Sequence, residues 1–373
     1  MSIQEYFEKK KELQEKLIKF LDNQNDEEEN YSNLINLIQD QQLHTDKHEM
    51  KIFLYIINQI SNHHHRHFHF IEKIEKIIKT FQDQIQREFT KYELFQIFKL
   101  NKRILLYLIL EKIITIDENI YLELTTICTY SEYFQPEIDE YKGITETKYP
   151  LDFNKKRLKG ENEDIICQFI QNDLIEEFIT YVHKNNYLLN NFIPKSIFET
   201  NPFLLDQNEI TLIEYASFYG ANQIFKYLYK NNVKLTKSLW MYGIHGESEE
   251  IIRILEEKKI DLNYKEEEDS NDSEFDVFIS YSNKNTIEYS YILCLIESIK
   301  CHNNDVFRYI EQNFLSENEE DLSLFGFRFY NFFYINDKFS NNQIFAYSCR
   351  YDYYTIVKIL LQTKKIDINS NYI

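Results

Sequence analysis

The sequence predicts an all-α protein assembled from two-helix hairpins, and three observations predict it. Four stretches repeat one spacing: a small residue, an aliphatic or aromatic pair eight positions on, and an aliphatic residue four beyond the first of that pair. Outside those copies the apolar stripes keep helical spacing. Six Gly and four Pro in 373 residues are too few for a turn-rich β sandwich or for a cofactor loop built of several glycines.

From the N-terminus, Ile3, Phe7, Leu13, Leu17 and Phe20-Leu21 form a helical stripe that ends at the acidic run Asp22 to Asn30. Leu34, Ile35 and Ile38 begin a second. Phe70-Ile71, Ile74, Ile77-Ile78, Phe81 and Ile85 keep the spacing over about four turns, and Lys102 to Ile114 supplies a further helix. Residues 1–135 are therefore expected to be an N-terminal helical region. Pro136, Gly143, Pro150 and Gly160 cluster around a polar stretch from Glu140 to Lys148, which reads as a connector over 136–163. Helices resume at Asp164 to Val182, with Asn172-Asp173 as a hairpin turn, and Pro194 and Pro202 mark another interruption.

The four copies follow: Ala216 to Ile224-Phe225 to Leu228, Gly243 to Ile251-Ile252 to Leu255, Ser298 to Val306-Phe307 to Ile310, and Ser348 to Ile356-Val357 to Leu360. A small residue lets two antiparallel helices approach closely, and the i, i+1, i+4 apolar set on the second helix is the stripe that buries. Gly220 suits the turn of the first copy, where a left-handed conformation ends a helix, and Gly246 stands beside the equivalent position in the second.

Thr211-Leu212-Ile213-Glu214-Tyr215-Ala216-Ser217-Phe218-Tyr219-Gly220 resembles the T-P-L-H-x-A-x-x-x-G opening of the ankyrin-repeat family, with Leu212 for its Pro and Glu214 for its His. Ile260-Asp261-Leu262-Asn263 and Ile366-Asp367-Ile368-Asn369 resemble the closing tetrad of that family. The chain is also similar to an expanded group of ankyrin-type proteins of parasitic protists that contain a central domain of unknown function. Asn101 to Leu106, Ser238 to Tyr242 and Ser298 to Asp305 carry that likeness. The resemblance implies a helical-hairpin solenoid with ankyrin-like pairs over 164–263, an acidic insertion over 264–288 and C-terminal repeats over 289–373. The first aliphatic residues fall at 224, 251, 306 and 356, giving intervals of 27, 55 and 50. A regular repeat is about 33 residues long, so the repeats are expected to be degenerate. The family's concave face further implies partner-contacting positions near the inner helix ends. Here these are Phe218 and Tyr219, His245 with Gly246, Lys300 and Cys301, and Arg350 and Tyr351.

A net charge of -19 argues against phosphate backbones and anionic membrane surfaces and favours a protein partner with a basic surface. Cys128, Cys167, Cys294, Cys301 and Cys349 show no paired spacing, which fits a reduced compartment. Met1 to Lys16 is charged and lacks the apolar run of a secretory signal. The run Ile104 to Ile116 is interrupted by Glu111-Lys112 and is shorter than the roughly 18 residues of a membrane span. The expectation is a cytoplasmic chain.

Chemistry has two candidates. The run His63-His64-His65-Arg66-His67-Phe68-His69 offers imidazoles but no completing Cys or carboxylate at ligand spacing, and Arg66 opposes a cation; it is expected to be an exposed connector. Phe275-Asp276-Val277-Phe278-Ile279-Ser280-Tyr281-Ser282 resembles the first strand of Toll/interleukin-receptor domains, some of which cleave NAD, yet the sequence after it reads as a helix pair. Phosphate-loop, nucleophile-elbow, zinc-protease and dinucleotide motifs are missing. The expected function is a non-enzymatic scaffold or adaptor for protein partners, with no catalytic residue, metal or cofactor. The alternatives are an NAD-consuming enzyme and a metal-responsive protein.

Overall fold

A computed structural model describes residues 1–366 except 24, 68, 127, 146, 259, 261–285, 315–321, 336–338, 364 and 365. Among the described residues the regular structure is helical, with one isolated antiparallel bridge between Phe192 and Thr211. None of their helices is long and apolar enough to cross a membrane. The chain forms two compact units: Met1–Glu163, Lys195–Asn208 and Ser323–Ile373 in the first, Asp164–Pro194 and Glu209–Leu322 in the second.

In the first unit the helix Ile3–Asp22 starts on Ser2, whose Oγ accepts from the Glu5 amide at 3.0 Å. It buries Phe7, Leu13, Leu17, Phe20 and Leu21, as its stripe requires. The buried Lys73 closes its far end by donating to the carbonyls of Phe20, Leu21 and Asn23 at 3.0, 3.0 and 2.8 Å. A cation there satisfies acceptors that have no partner inside the helix and meets the negative end of the helix dipole. The stripe from Phe70 to Ile85 is buried throughout, but its backbone breaks at Phe81 into Phe70–Thr80 and Gln82–Glu88.

The expected connector over 136–163 is instead folded. Gln135–Lys142 and Phe153–Lys159 are helices, and a buried ion pair between Arg157 and Glu137 joins them. Three of the four Pro and Gly residues that mark the stretch are helix punctuation. Pro136 occupies the first turn, where its missing N–H costs nothing, and Gly143 and Gly160 end the two helices at φ +70°.

The expected C-terminal block 289–373 is divided, since its last copy belongs to the first unit. Asn341–Arg350 and Tyr354–Thr363 add Ile344, Tyr353, Ile356 and Leu360 to the core of the N-terminal helices. Gln14 fixes this register. Its Nε2 donates to Asn331 Oδ1 and its Oε1 accepts from the Phe332 amide, both at 2.9 Å and fully buried. Stacked rings of His48 on Tyr354 and Tyr55 on Tyr330 extend the contact.

The second unit is a succession of helix pairs: Ile165–Gln171 with Ile175–Asn185, Leu212–Phe218 with Asn222–Lys230, Leu239–His245 with Glu249–Glu257, and Thr286–Lys300 with Asn304–Phe314. The first helices of the four pairs pack one against the next in chain order, and so do the second helices of the first three. Their turns share one geometry. Asp173, Gly220, Glu247 and His302 take positive φ. In three of the four, the following amide donates back to the residue five before it: Leu174 to Phe169, Ala221 to Ala216, and Asn303 to Ser298, at 2.9, 2.9 and 3.0 Å. This six-to-one bond satisfies a carbonyl the helix end would otherwise leave open. In two of these three turns the acceptor is the small residue of the sequence pattern.

Neighbouring pairs are also tied by side chains. Glu214 closes a capping box with Thr211 and accepts from Thr236 and Ser238 at the start of the next pair. Asp173 accepts from the amides of Gln223 and Ile224, both at 3.0 Å, and so caps the second helix of the next pair from its own turn. Asp173→Ala is expected to cost about 1–2 kcal/mol, the upper range for a lost helix cap. Urea unfolding followed at the single tryptophan, Trp240, would read it; an unchanged midpoint would show that the cap contributes nothing.

Candidate functional site

The seven side chains expected at a partner surface divide sharply by burial. Tyr219 and Lys300 are half-buried in the second unit, and in the first Arg350 is exposed and Tyr351 half-buried. Phe218, His245 and Cys301 are 7%, 2% and 1% exposed, so they are interior rather than presented to a partner. The cause is the stacking: at the helix end these positions face the neighbouring pair. Phe218 stacks on the His245 ring with centroids 5.4 Å apart. Gly246, beside His245, lies under the Ser217 carbonyl.

That stacking brings together three groups with chemistry. His245 ends Leu239–His245, Glu297 lies in the last turn of Thr286–Lys300, and Cys301 follows it directly. His245 Nε2 is 2.7 Å from Glu297 Oε1, and Cys301 Sγ is 3.4 and 3.6 Å from His245 Nδ1 and Nε2. One donor atom from each residue falls within 4.8 Å of the others. The turns are held in place by Asn303 Nδ2, which donates to the Ile244 carbonyl at 3.2 Å. Lys300 Nζ stands 3.3 Å from the same Glu297 oxygen. Burial pushes the Cys301 thiol well above its ordinary range, and the Glu297 charge pushes the same way.

A thiol, an imidazole and a carboxylate in series are the parts of a nucleophile, a base and its orienting acid. Two features disfavour that use. The sulfur is almost equidistant from both ring nitrogens, so it lies beside the ring and off the axis of either one. The thiol is also buried and held neutral, and the neutral form is a poor nucleophile. As a set of donors, imidazole, carboxylate and thiolate suit a borderline-soft divalent cation. Among the described residues this is the one such group of three His, Cys, Asp or Glu side chains.

The histidine run is a connector between helices, as expected, but it is anchored rather than exposed. His64 is 4% exposed, with Nε2 3.0 Å from Asp22 Oδ1. Arg66 donates to Thr200 Oγ1 at 3.0 Å, and His69 is the exposed member. Lys102 is fully buried, donates to the Ile197 and Glu199 carbonyls at 3.4 and 3.2 Å, and has its pKa lowered to about 8 by burial. It closes a loop inside the first unit. The Phe275 to Ser282 segment lies outside the described residues.

His245 and Cys301 are legible in the sequence as turn residues of successive copies, whereas nothing local marks Glu297. Superposition of the copies carries the signal for it. Positions flanking the small residue of one copy stack on those of the next, so His245, two after Gly243, meets Glu297 and Cys301, one before and three after Ser298. The chain matches no family model, and comparison with curated proteins and with solved structures found no match.

Proposed function

We propose that the protein is a non-enzymatic scaffold whose second unit is an ankyrin-like stack of helix pairs that binds a partner protein. The observation that carries this reading is the succession of first helices, Ile165–Gln171, Leu212–Phe218, Leu239–His245 and Thr286–Lys300, each packed on the next. Two further features support it. The central pairs have first helices of 7 residues and second helices of 9. The Phe192–Thr211 bridge precedes a pair where such repeats place a β finger. A stack of this kind presents a preformed surface and loses little chain entropy on binding.

The partner reads the turn edge of the second unit, where Tyr219 is accessible, and carries a basic surface to match the net charge of -19. Its affinity therefore falls as salt is raised. The test is affinity capture with wild type, followed by titration of the identified purified partner against Tyr219→Ala and Arg350→Glu. Loss of an aromatic anchor is expected to weaken binding about 10-fold or more, while Arg350→Glu, in the first unit, leaves it near wild type. Equal affinity of wild type and a folded Tyr219→Ala would remove this edge as the binding surface.

A further inference from the structure

The geometry points to a divalent metal site of the zinc class at His245, Glu297 and Cys301, buried between successive helix pairs of the second unit. Each residue offers the donor type that such an ion takes: an imidazole nitrogen, a carboxylate oxygen and a thiolate sulfur. In a tetrahedral zinc centre, bonds of about 2.0–2.3 Å place donors about 3.3–3.6 Å apart. The separation of 3.6 Å between His245 Nε2 and Cys301 Sγ matches that spacing in length, and a side-chain rotation would bring the sulfur round from beside the ring toward the Nε2 lone pair. The 2.7 Å between His245 Nε2 and Glu297 Oε1 is a hydrogen bond that opens by a few tenths of an ångström when an ion replaces the proton.

Charge balance favours a divalent ion. Ligation through Nε2 releases the Cys301 proton to solvent and leaves the imidazole proton on Nδ1, so the resulting thiolate with the Glu297 carboxylate and a neutral His245 carries two negative charges, equal and opposite to the metal. The opposing group is Lys300, 3.3 Å from Glu297 Oε1. Its side chain is 24% exposed and can move its ammonium into water. The three donors come from two helix pairs, so the ion would also cross-link adjacent members of the stack and stabilise the folded state by mass action.

Cobalt(II) serves as the spectroscopic probe for the full-length chain. Wild type is expected to take up a single equivalent and to show thiolate-to-cobalt charge transfer together with the d–d bands of a tetrahedral centre, both abolished by zinc. Cys301→Ala removes the charge-transfer band, and Glu297→Gln, nearly isosteric and checked for fold by circular dichroism, weakens zinc binding at least about 100-fold, beyond what loss of a supporting residue costs. Lys300→Ala tightens it. His65→Ala combined with His67→Ala leaves all of this unchanged and separates the site from the histidine run. Absence of a charge-transfer band in folded wild type, its survival in Cys301→Ala, or its loss in the His65, His67 variant would each overturn the assignment. None of these readouts depends on a protein partner, so the site and the scaffold reading fail separately.

Discussion

Gly246→Ala is expected to destabilise the second unit by about 3 kcal/mol or more, at or above the upper range for overpacking. A Cβ on Gly246 would lie 2.0 Å from the Ser217 carbonyl oxygen, 3.0 Å from the Gly220 nitrogen and 3.2 Å from the Phe218 oxygen. All three are backbone atoms of the preceding turn, so no rotamer change relieves the clash. Conformation is not the obstacle, because Gly246 has φ -80°. Gly220 closes the contact from the other side: its φ is +61°, and a Cβ there would sit 2.7 Å from the Gly246 oxygen. Gly243→Ala, three residues earlier in the same helix, is the control. Its Cβ would meet Ser217 Oγ at 3.5 Å and Ile252 at 3.7 Å, ordinary contacts. Replacing a helical glycine there should be neutral or stabilising by up to about 1 kcal/mol. Trp240, the one tryptophan, is buried in the second unit, so urea unfolding followed by its fluorescence reads both variants. Similar midpoints for the two would show that close approach of the turns does not hold the stack.

This contrast marks what sequence can and cannot carry. The spacing of the four copies translates directly into burial: Ile224, Phe225 and Leu228 are fully buried, as are Ile251, Leu255, Ile310, Ile356 and Leu360, while Val357 is half-buried. Periodicity is local, and a helix hairpin is closed by local bonds, so both survive in one dimension. The small residue of the pattern sits where there is no room for a larger one: Ala216, Ser298 and Ser348 are all fully buried. Their carbonyls also accept the turn's six-to-one bond, as that of Phe169 does, and the closest approach between turns is made by Gly220 and Gly246. The pair at Ile165–Gln171 departs from the pattern because Phe169 fills the small-residue position and Glu177 and Tyr181 stand where aliphatic residues are required, and the Gly326 turn departs because a short 3-10 helix follows it. Insertions hid the rest. No local signal says that the copy at Ser348 joins the N-terminal helices, because the Gln14 bonds that place it span 317 and 318 residues. Partner positions failed in part for the same reason: Phe218, His245 and Cys301 sit at helix ends, but only the packed neighbour decides that such an end is interior.

Arg157→Ala is expected to cost the first unit about 3–5 kcal/mol, the range for breaking a buried ion pair from one side. Arg157 and Glu137 are 2% and 7% exposed. The two terminal guanidinium nitrogens donate to the two Glu137 oxygens at 2.6 and 2.9 Å, and the same nitrogens reach the Tyr133 carbonyl at 3.0 Å and Asn154 Oδ1 at 2.7 Å. The guanidinium also lies over the rings of Phe153 and Tyr133, 5.3 and 5.9 Å from their centroids. Removing it leaves a buried carboxylate without a counter-charge and a carbonyl without a donor, which is where the cost arises. Arg157→Lys should recover little, since an ammonium cannot make the two-pronged bond and reach the carbonyl as well. Arg157→Met with Glu137→Leu should recover most of the loss, because the pair's desolvation cost disappears along with its attraction. Chemical unfolding followed by far-ultraviolet ellipticity, with hydrogen exchange locating the change to residues 133–159, measures the series. A double variant as unstable as Arg157→Ala would mean that packing of the arginine stem, rather than charge compensation, fastens these two helices. The segment that composition marks as a linker would then owe its fold to apolar contact alone.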